Sequence, residues 1–329
     1  SIITPKQLEL PIVNVVNRPI PTKNTIITGP AGIGKSHPWK IDPIHDQIIL
    51  TPTHDLKNEH QVQFKNTTTA HKYFQFTIDD KKWQMLRASG KIPQFHSYII
   101  IDEFTMFDQN QWDIIRRRQG SSIIIALGDF EQICNSITGN PISMQYFMDS
   151  EFDILEMKRD TITPSRHQYE YGCKLDQFRG KSISEQQEYL ALNWEIKNVN
   201  QDEFVELYDQ NQKIIVGTHE IATKYNNIIR SALHPTALFP FKTIEKHPKV
   251  VLLPIDTKLV FWNRTKCNQE IPKGMKYEPA YAVTADSFQG KTVDSVVYVD
   301  YKSLLRSGTL YTAMTRTRIA LNTIPINIL

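Results

Sequence analysis

The sequence predicts an α/β protein built from parallel sheets with helices on their faces. Three observations carry this. Short apolar runs rich in β-branched residues recur without polar alternation, as strands buried on both faces require. Helical stretches separate them. One run, Thr25 to Thr28, leads into a glycine-rich turn and then lysine and serine, the order of a strand, a phosphate-binding loop and a helix. With 329 residues the chain exceeds what one core ordinarily covers, so two domains are expected.

Taken in order, the strand candidates are Thr25 to Thr28, Gln47 to Leu50, Ser97 to Ile101, Ser122 to Leu127, Lys213 to Val216 and Ser295 to Val299. Each ends at a polar, glycine or carboxylate-rich turn. Helices are expected over Gln109 to Arg118, Ser184 to Ala191 and Glu220 to Ala232. Thr, Pro and Ser cluster between Asp160 and Ser165, which sets domains of residues 1–163 and 164–329. Between Leu233 and Ala280 six prolines interrupt the pattern, and "KVVLLP" and "KLVFW" read as antiparallel strands of a small β insertion, about 234–280.

Composition narrows the partners. The net charge of +3 excludes a strong overall basic field, so a nucleic-acid surface must be a local groove. Cys134, Cys173 and Cys267 lie far apart and form no CxxC pair, which argues against zinc and a disulfide framework and for a reducing intracellular compartment, cytoplasm or nucleus. No apolar run approaches the roughly 20 residues that span a bilayer, and residues 1–10 lack the apolar core of a signal peptide. A chain opening on Ser1 reads as a processed product or a piece of a longer polypeptide.

"GPAGIGKS" fits G-x-x-x-x-G-K-S/T over Gly29, Pro30, Ala31, Gly32, Ile33, Gly34, Lys35 and Ser36. The glycines let backbone N–H groups turn inward around phosphate oxygens. Lys35 would reach the β- and γ-phosphates of ATP, and Ser36 would offer its hydroxyl to Mg²⁺. Pro38 falls in the first turn of the following helix, where its missing N–H has no intrahelical partner. A plain Gly-rich turn is the competing reading.

"YIIIDEF" ends a buried run in Asp102-Glu103. An acidic pair at the carboxyl edge of a strand suits the loop: Asp102 for Mg²⁺, Glu103 as general base for the attacking water. A nucleoside kinase needs no such water, so the pair favours hydrolysis. "IIIALGDFEQI" repeats the pattern and places Gln132 where it would sense the γ-phosphate.

The ordered set "GPAGIGKS", "LTPTHDLK", "TTTAHKYF", "IDEFTMF", "LGDFEQI", "YAVTADSFQGKTVD" and "LYTAMTRTR" resembles the superfamily 1 helicases, in particular the branch of RecD and the phage helicase Dda. The resemblance runs from about Gln7 to Arg318 and is loose between Asp160 and Ala280. It implies two RecA-like P-loop NTPase domains with ATP between them and translocation on a single strand, 5′ to 3′. It implies that Gln7 reads adenine, that Gly290 meets the γ-phosphate through its backbone, and that Arg316 is an arginine finger, a planar donor for charge developing on the phosphoryl group. A second arginine is expected early in the second domain. Arg166 and Arg159 both qualify, and spacing to "LDQFRGK" slightly favours Arg166.

The same resemblance marks Thr51, Pro52, Thr53 and His54, then Thr68, Thr69 and His71, as nucleic-acid contacts, with Thr218, Asn226, Thr284 and Ser287 in the second domain. Hydroxyls and backbone N–H groups there would grip phosphates without reading sequence. Phe74, Phe76 and Trp83 are candidate stacking faces, with core packing as the competing reading; helix caps compete for the threonines. Asp286-Ser287 replaces the branch's His-Lys pair, and Asp286 is expected to turn away or bond a neighbouring backbone group. The insertion after His71, residues 72–95, where the branch carries a wedge, and the β insertion both look short. The expected activity is an ATP-dependent helicase or translocase acting as a monomer on single-stranded nucleic acid, DNA favoured, alone or within a replication complex. An ATP-gated clamp without unwinding, a P-loop phosphotransferase and an RNA helicase are the alternatives, since RNA-virus helicases of superfamily 1 share much of this motif set.

Overall fold

The computed structural model describes residues 12–13, 20–135, 139–163, 165–209, 212–233, 240–241, 251–252, 259–261, 264–266, 277–279 and 281–329. Gln7, Cys267 and most of the expected β insertion lie outside the described residues.

The chain divides into two compact units, Ser1–Gly180 and Lys181–Leu329. In the first, the strands are β1 (Ile12–Val13), β2 (Thr25–Thr28), β3 (Gln47–Thr51), β4 (Thr67–Thr69), β5 (Tyr98–Asp102), β6 (Ile123–Gly128) and β7 (Asp153–Met157). Its helices are α1 (His37–Ile41), α2 (His54–Gln61), α3 (Ala70–Phe74), α4 (Asp80–Ala88), α5 (Gln109–Arg118), α6 (Met144–Asp149) and α7 (Tyr169–Asp176). The seven strands form one sheet in the order β1-β7-β2-β6-β5-β3-β4, every pairing parallel.

The isoleucine runs explain why this sheet is covered on both sides. Successive side chains on a strand point to opposite faces. Ile26, Ile48, Leu50, Ile99, Ile101, Ile124 and Ala126 pack on one face with Phe104, Trp112 and Phe147. Ile27, Ile49, Ile100, Ile125 and Leu127 pack on the other with Ile33, Trp39 and Met157. Polar side chains fix where the helices start: Thr53 caps α2, Thr69 caps α3, Asp79 caps α4, and Asp108 with Gln111 forms a capping box on α5.

The second unit holds α8 (Ile183–Asn193), β8 (Lys197–Val199), α9 (Gln201–Leu207), β9 (Lys213–Val216) and α10 (His219–Leu233). Then come short strands β10 (Pro240–Phe241), β11 (Val251–Leu252), β12 (Leu259–Phe261), β13 (Arg264–Lys266) and β14 (Tyr277–Pro279). It closes with β15 (Ala282–Thr284), α11 (Ala285–Phe288), β16 (Val297–Asp300), α12 (Thr309–Met314) and β17 (Thr323–Ile328). Its main sheet is also parallel, β15-β9-β16-β17-β8, over a core that includes Phe204, Ile214, Val216, Ala222, Tyr225, Tyr298 and Ile326. The short strands pair antiparallel, β10 with β11 and β12 with β13 and β14.

The segment 164–180, placed with the second domain by sequence, groups with the first unit. Local contacts account for this. Arg166 N–H donates to Gly32 O at 2.6 Å, the Arg159 guanidinium reaches Ala31 O at 3.4 Å, and Gly180 N–H donates to Glu131 Oε2 at 2.8 Å. No described helix is long and apolar enough to cross a membrane. Cys134 and Cys173 are free thiols.

Candidate nucleotide site and strand contacts

The candidate site lies along the carboxyl edge of the first sheet, where open parallel sheets ordinarily bind ligands. β2 runs into the loop Gly29 to Ser36, β5 ends at Asp102, and β6 ends at Gly128. Gly29 is packed so closely on β7 that a Cβ would lie 2.4 Å from Met157 O. Gly32 and Gly34 have φ of 71° and 88°, a left-handed backbone that glycine adopts without strain. Ala31 and Ile33 are buried, so their side chains pack into the protein.

Lys35 folds back on its own loop, donating to Gly29 O at 2.9 Å and Pro30 O at 2.7 Å. Burial lowers its ammonium to about 8, against the opposing fields of Asp129, Glu103 and Asp102. The register sets Thr28 beside Gly128 and Asp102 beside Leu127, so the loop and the two acidic turns leave adjacent strands. Ser36 precedes α1, in which Pro38 sits in the first turn, as expected.

Asp102 is 7% exposed. Burial pushes its carboxyl up, but the hydrogen bond from His60 and the charges of Lys40 and Lys35 outweigh this and hold it below its usual range. Its Oδ1 accepts from Glu103 N–H at 3.1 Å and its Oδ2 meets His60 Nε2 at 2.6 Å. Glu103 has φ 53° and ψ 51°, a left-handed conformation that costs a non-glycine residue roughly 1–2 kcal/mol. Gln132 is buried, and its Oε1 has no hydrogen-bond partner among the described residues. A buried acceptor left open at such an edge suits a ligand or a water that a ligand brings. Asp129, fully buried, pairs with Arg179 and accepts from Glu131 N–H at 3.0 Å.

Ser36 and Asp102 supply the hard oxygen donors that Mg²⁺ takes, and no described group of three or more His, Cys, Asp or Glu side chains forms a closed metal cage.

The two candidate arginines differ. Arg159 is buried, holds Asp176 through Nε at 2.9 Å and Nη2 at 3.1 Å, and lies beside the phosphate loop. Its Nη1 is buried with no hydrogen-bond partner among the described residues. Arg166 meets the same loop through its backbone.

Arg316 is fully buried. It donates to Thr312 O at 2.7 Å, Phe288 O at 3.2 Å, Lys291 O at 3.1 Å and Thr315 Oγ1 at 2.7 Å. It therefore braces the turn around Gly290, whose φ is 81°. Any phosphate contact by this guanidinium must exchange some of these acceptors for phosphate oxygens. Arg318 is exposed and paired with Asp294.

Several expected strand contacts serve the fold instead. Thr51 is fully buried and donates to Thr53 O at 2.9 Å. Thr53 and Thr69 cap helices, and Thr68 and Thr69 are buried in β4. Asn226 is fully buried, with Nδ2 donating to Ala282 O at 3.1 Å and Oδ1 accepting from Ala282 N–H at 2.7 Å; it ties α10 to β15 and is removed from any strand contact. Phe74 and Trp83 are core residues, the Trp83 indole donating to Tyr73 O at 3.1 Å. Pro52 is half-buried and His54 and His71 are exposed; the half-buried Phe76 ring lies 5.0 Å from His71, edge-on. In the second unit Thr218 is exposed and accepts from Ile221 N–H, while buried Thr284 shares a hydrogen bond with exposed Ser287. Asp286 pairs with the Arg306 side chain rather than with backbone.

Sequence reasoning missed His60 and Arg179. His60 is one of ten histidines, in a polar helix with no motif around it. Arg179 stood inside "LDQFRGK" and served only as a spacing mark.

A family profile described as an AAA domain matches residues 13–138, the stretch that contains the loop, both carboxylates and Gln132. No curated protein sequence matches the chain. Among solved structures, Bacteroides Pif1 bound to single-stranded DNA is similar at TM-score 0.60 and 16% identity, over 94% of this chain and 89% of that one. Pif1 helicase from Candida albicans is similar at TM-score 0.61 and 13% identity, over 93% and 91%. Bacteroides Pif1 with ADP-AlF4 is similar at TM-score 0.53 and 16% identity, over 92% and 88%. The chain thus has the two-domain, RecA-like P-loop NTPase fold of these helicases, continuous across both units.

Proposed function

We propose that the chain is an ATP-hydrolysing helicase that moves on single-stranded nucleic acid, DNA favoured, 5′ to 3′. The observation that carries this is the clustering of Lys35, Asp102, Glu103 and Gln132 on one sheet edge, in a chain whose fold over both units is that of Pif1 helicases. Lys35 leaves its loop carbonyls for the β- and γ-phosphates. Glu103 orients and deprotonates the attacking water, and Gln132, beside the γ-phosphate, accepts from that water through its open Oε1. Ser36 and Asp102 would hold Mg²⁺, which neutralises charge on the phosphates when bound. Arg159, whose side-chain Nη2 reaches Ala31 O in the loop, is the arginine assigned to the phosphate in preference to Arg166. Arg316 and Gly290 act as one braced turn from the second unit, and Gln7 is assigned to adenine.

ATPase assays with matched DNA and RNA oligonucleotides test this. Expected are stimulation by single strands, loss of turnover in Lys35→Ala, and displacement of a 5′-tailed but not a 3′-tailed duplex. Hydrolysis indifferent to strands, or undiminished in Lys35→Ala, would sink the reading. Stimulation without displacement on either tail would favour the clamp. The expected wedge region of residues 72–95 holds little beyond α4, whose Trp83 is buried.

A further inference from the structure

His60 links three elements of the first unit. Its Nε2 meets Asp102 Oδ2 at 2.6 Å, and its Nδ1 meets Lys40 Nζ at 3.3 Å. The ring is 5% exposed. An ammonium only donates, so Nδ1 is the acceptor and the proton sits on Nε2, donated to the carboxylate. Lys40 lies on α1, which follows directly from the phosphate loop. His60 lies near the end of α2, whose first turn carries Thr53 and His54. With Glu103 N–H on Oδ1, both oxygens of Asp102 are fixed, and each keeps a lone pair for a cation.

We propose that His60 is a positioning residue: held by Lys40, it aims the Asp102 carboxylate at Mg²⁺ and joins that carboxylate to the helix bearing the first candidate strand contacts. This rests on the proposed function. Outer partners that orient a metal-holding carboxylate ordinarily change metal affinity or activity by 10- to 100-fold when removed. A shift of His54 on strand binding moves α2 as a rigid helix and therefore moves His60 against Asp102.

The test uses the whole chain and the variants His60→Ala, His60→Gln and Lys40→Gln. Two readouts are taken across a Mg²⁺ titration: binding of a fluorescent ATP analogue, and hydrolysis with and without an oligothymidylate. In His60→Ala the Mg²⁺ concentration for half-saturation should rise by about 10- to 100-fold in both readouts, and the strand-stimulation factor should fall. His60→Gln, whose amide donates from nearly the same place, should recover most of the Mg²⁺ shift. Lys40→Gln, at a half-buried helix end, should move half-saturation in the same direction by less; it decides the matter should His60→Ala fail to fold. Unchanged Mg²⁺ dependence in the variants, with the wild type hydrolysing ATP and responding to strands, overturns this inference alone. A wild type without strand-stimulated hydrolysis overturns the proposed function and this inference together.

Discussion

Lys35 holds its proton near the edge of neutrality, at about 8, because burial outweighs the carboxylates around it. A triphosphate replaces the two loop carbonyls with full negative charge and raises that value. Binding of nucleotide is therefore strongest below about 8 and weakens as pH rises through the value in the complex. Calorimetry at about pH 8.5 in buffers of different ionisation enthalpy should record uptake of up to about three-quarters of a proton per nucleotide. Lys35→Arg keeps its charge throughout and should show no uptake. The two nearby arginines separate in the same way. Arg159→Ala removes a buried guanidinium whose Nη2 reaches the loop at Ala31 O and should cost about 10²- to 10³-fold in turnover. Arg166→Ala keeps the backbone contact to Gly32 and should cost less turnover than Arg159→Ala. Steady-state ATPase, with melting curves to confirm folding, reads both.

At the scale of elements, the turn after β6 is tied to the end of the first unit by the Asp129–Arg179 ion pair and by Gly180 N–H on Glu131. Asp129 is fully buried and Arg179 carries its counter-charge. Removing one partner of such a pair leaves a charge uncompensated and ordinarily costs about 3–5 kcal/mol. Arg179→Ala should lower the first transition of a urea melt by that order, and Asp129→Asn in the same chain should restore much of it. Legibility from sequence follows a physical divide at this scale. The strands Gln47–Thr51, Tyr98–Asp102 and Ile123–Gly128 were legible because each is apolar on both faces, and the phosphate loop and Asp102-Glu103 because they adjoin such runs. Thr67–Thr69 and Lys197–Val199 were not, being short, polar and defined only by their sheet neighbours. The same holds for His60 and Arg179, whose roles come from partners at separations of 42 and 50 residues, and for Asn226, where only tertiary contact distinguishes a strut from a strand contact.

At the scale of the whole molecule, charge sets what the proposed grip on a strand can be. The net charge is only +3, and the candidate contacts left after the buried ones are removed, Pro52, His54, His71, Phe76, Thr218 and Ser287, include no lysine or arginine. Affinity for single strands falls with salt by a slope of about 0.7 per phosphate neutralised by a cation. A grip made of hydroxyls, backbone N–H groups and one aromatic face releases few counterions, so the slope of log affinity against log salt should be no steeper than about −3. Stacking, in contrast, is worth about 1–3 kcal/mol per base and tolerates any sequence. Phe76→Ala should therefore weaken binding by about tenfold, equally for pyrimidine and mixed oligonucleotides, with the salt slope unchanged. Fluorescence anisotropy of labelled oligonucleotides across a salt titration measures both quantities. A slope steeper than about −6 would require a cationic groove that these contacts do not include, and would move the strand path away from the edge marked by His54 and His71.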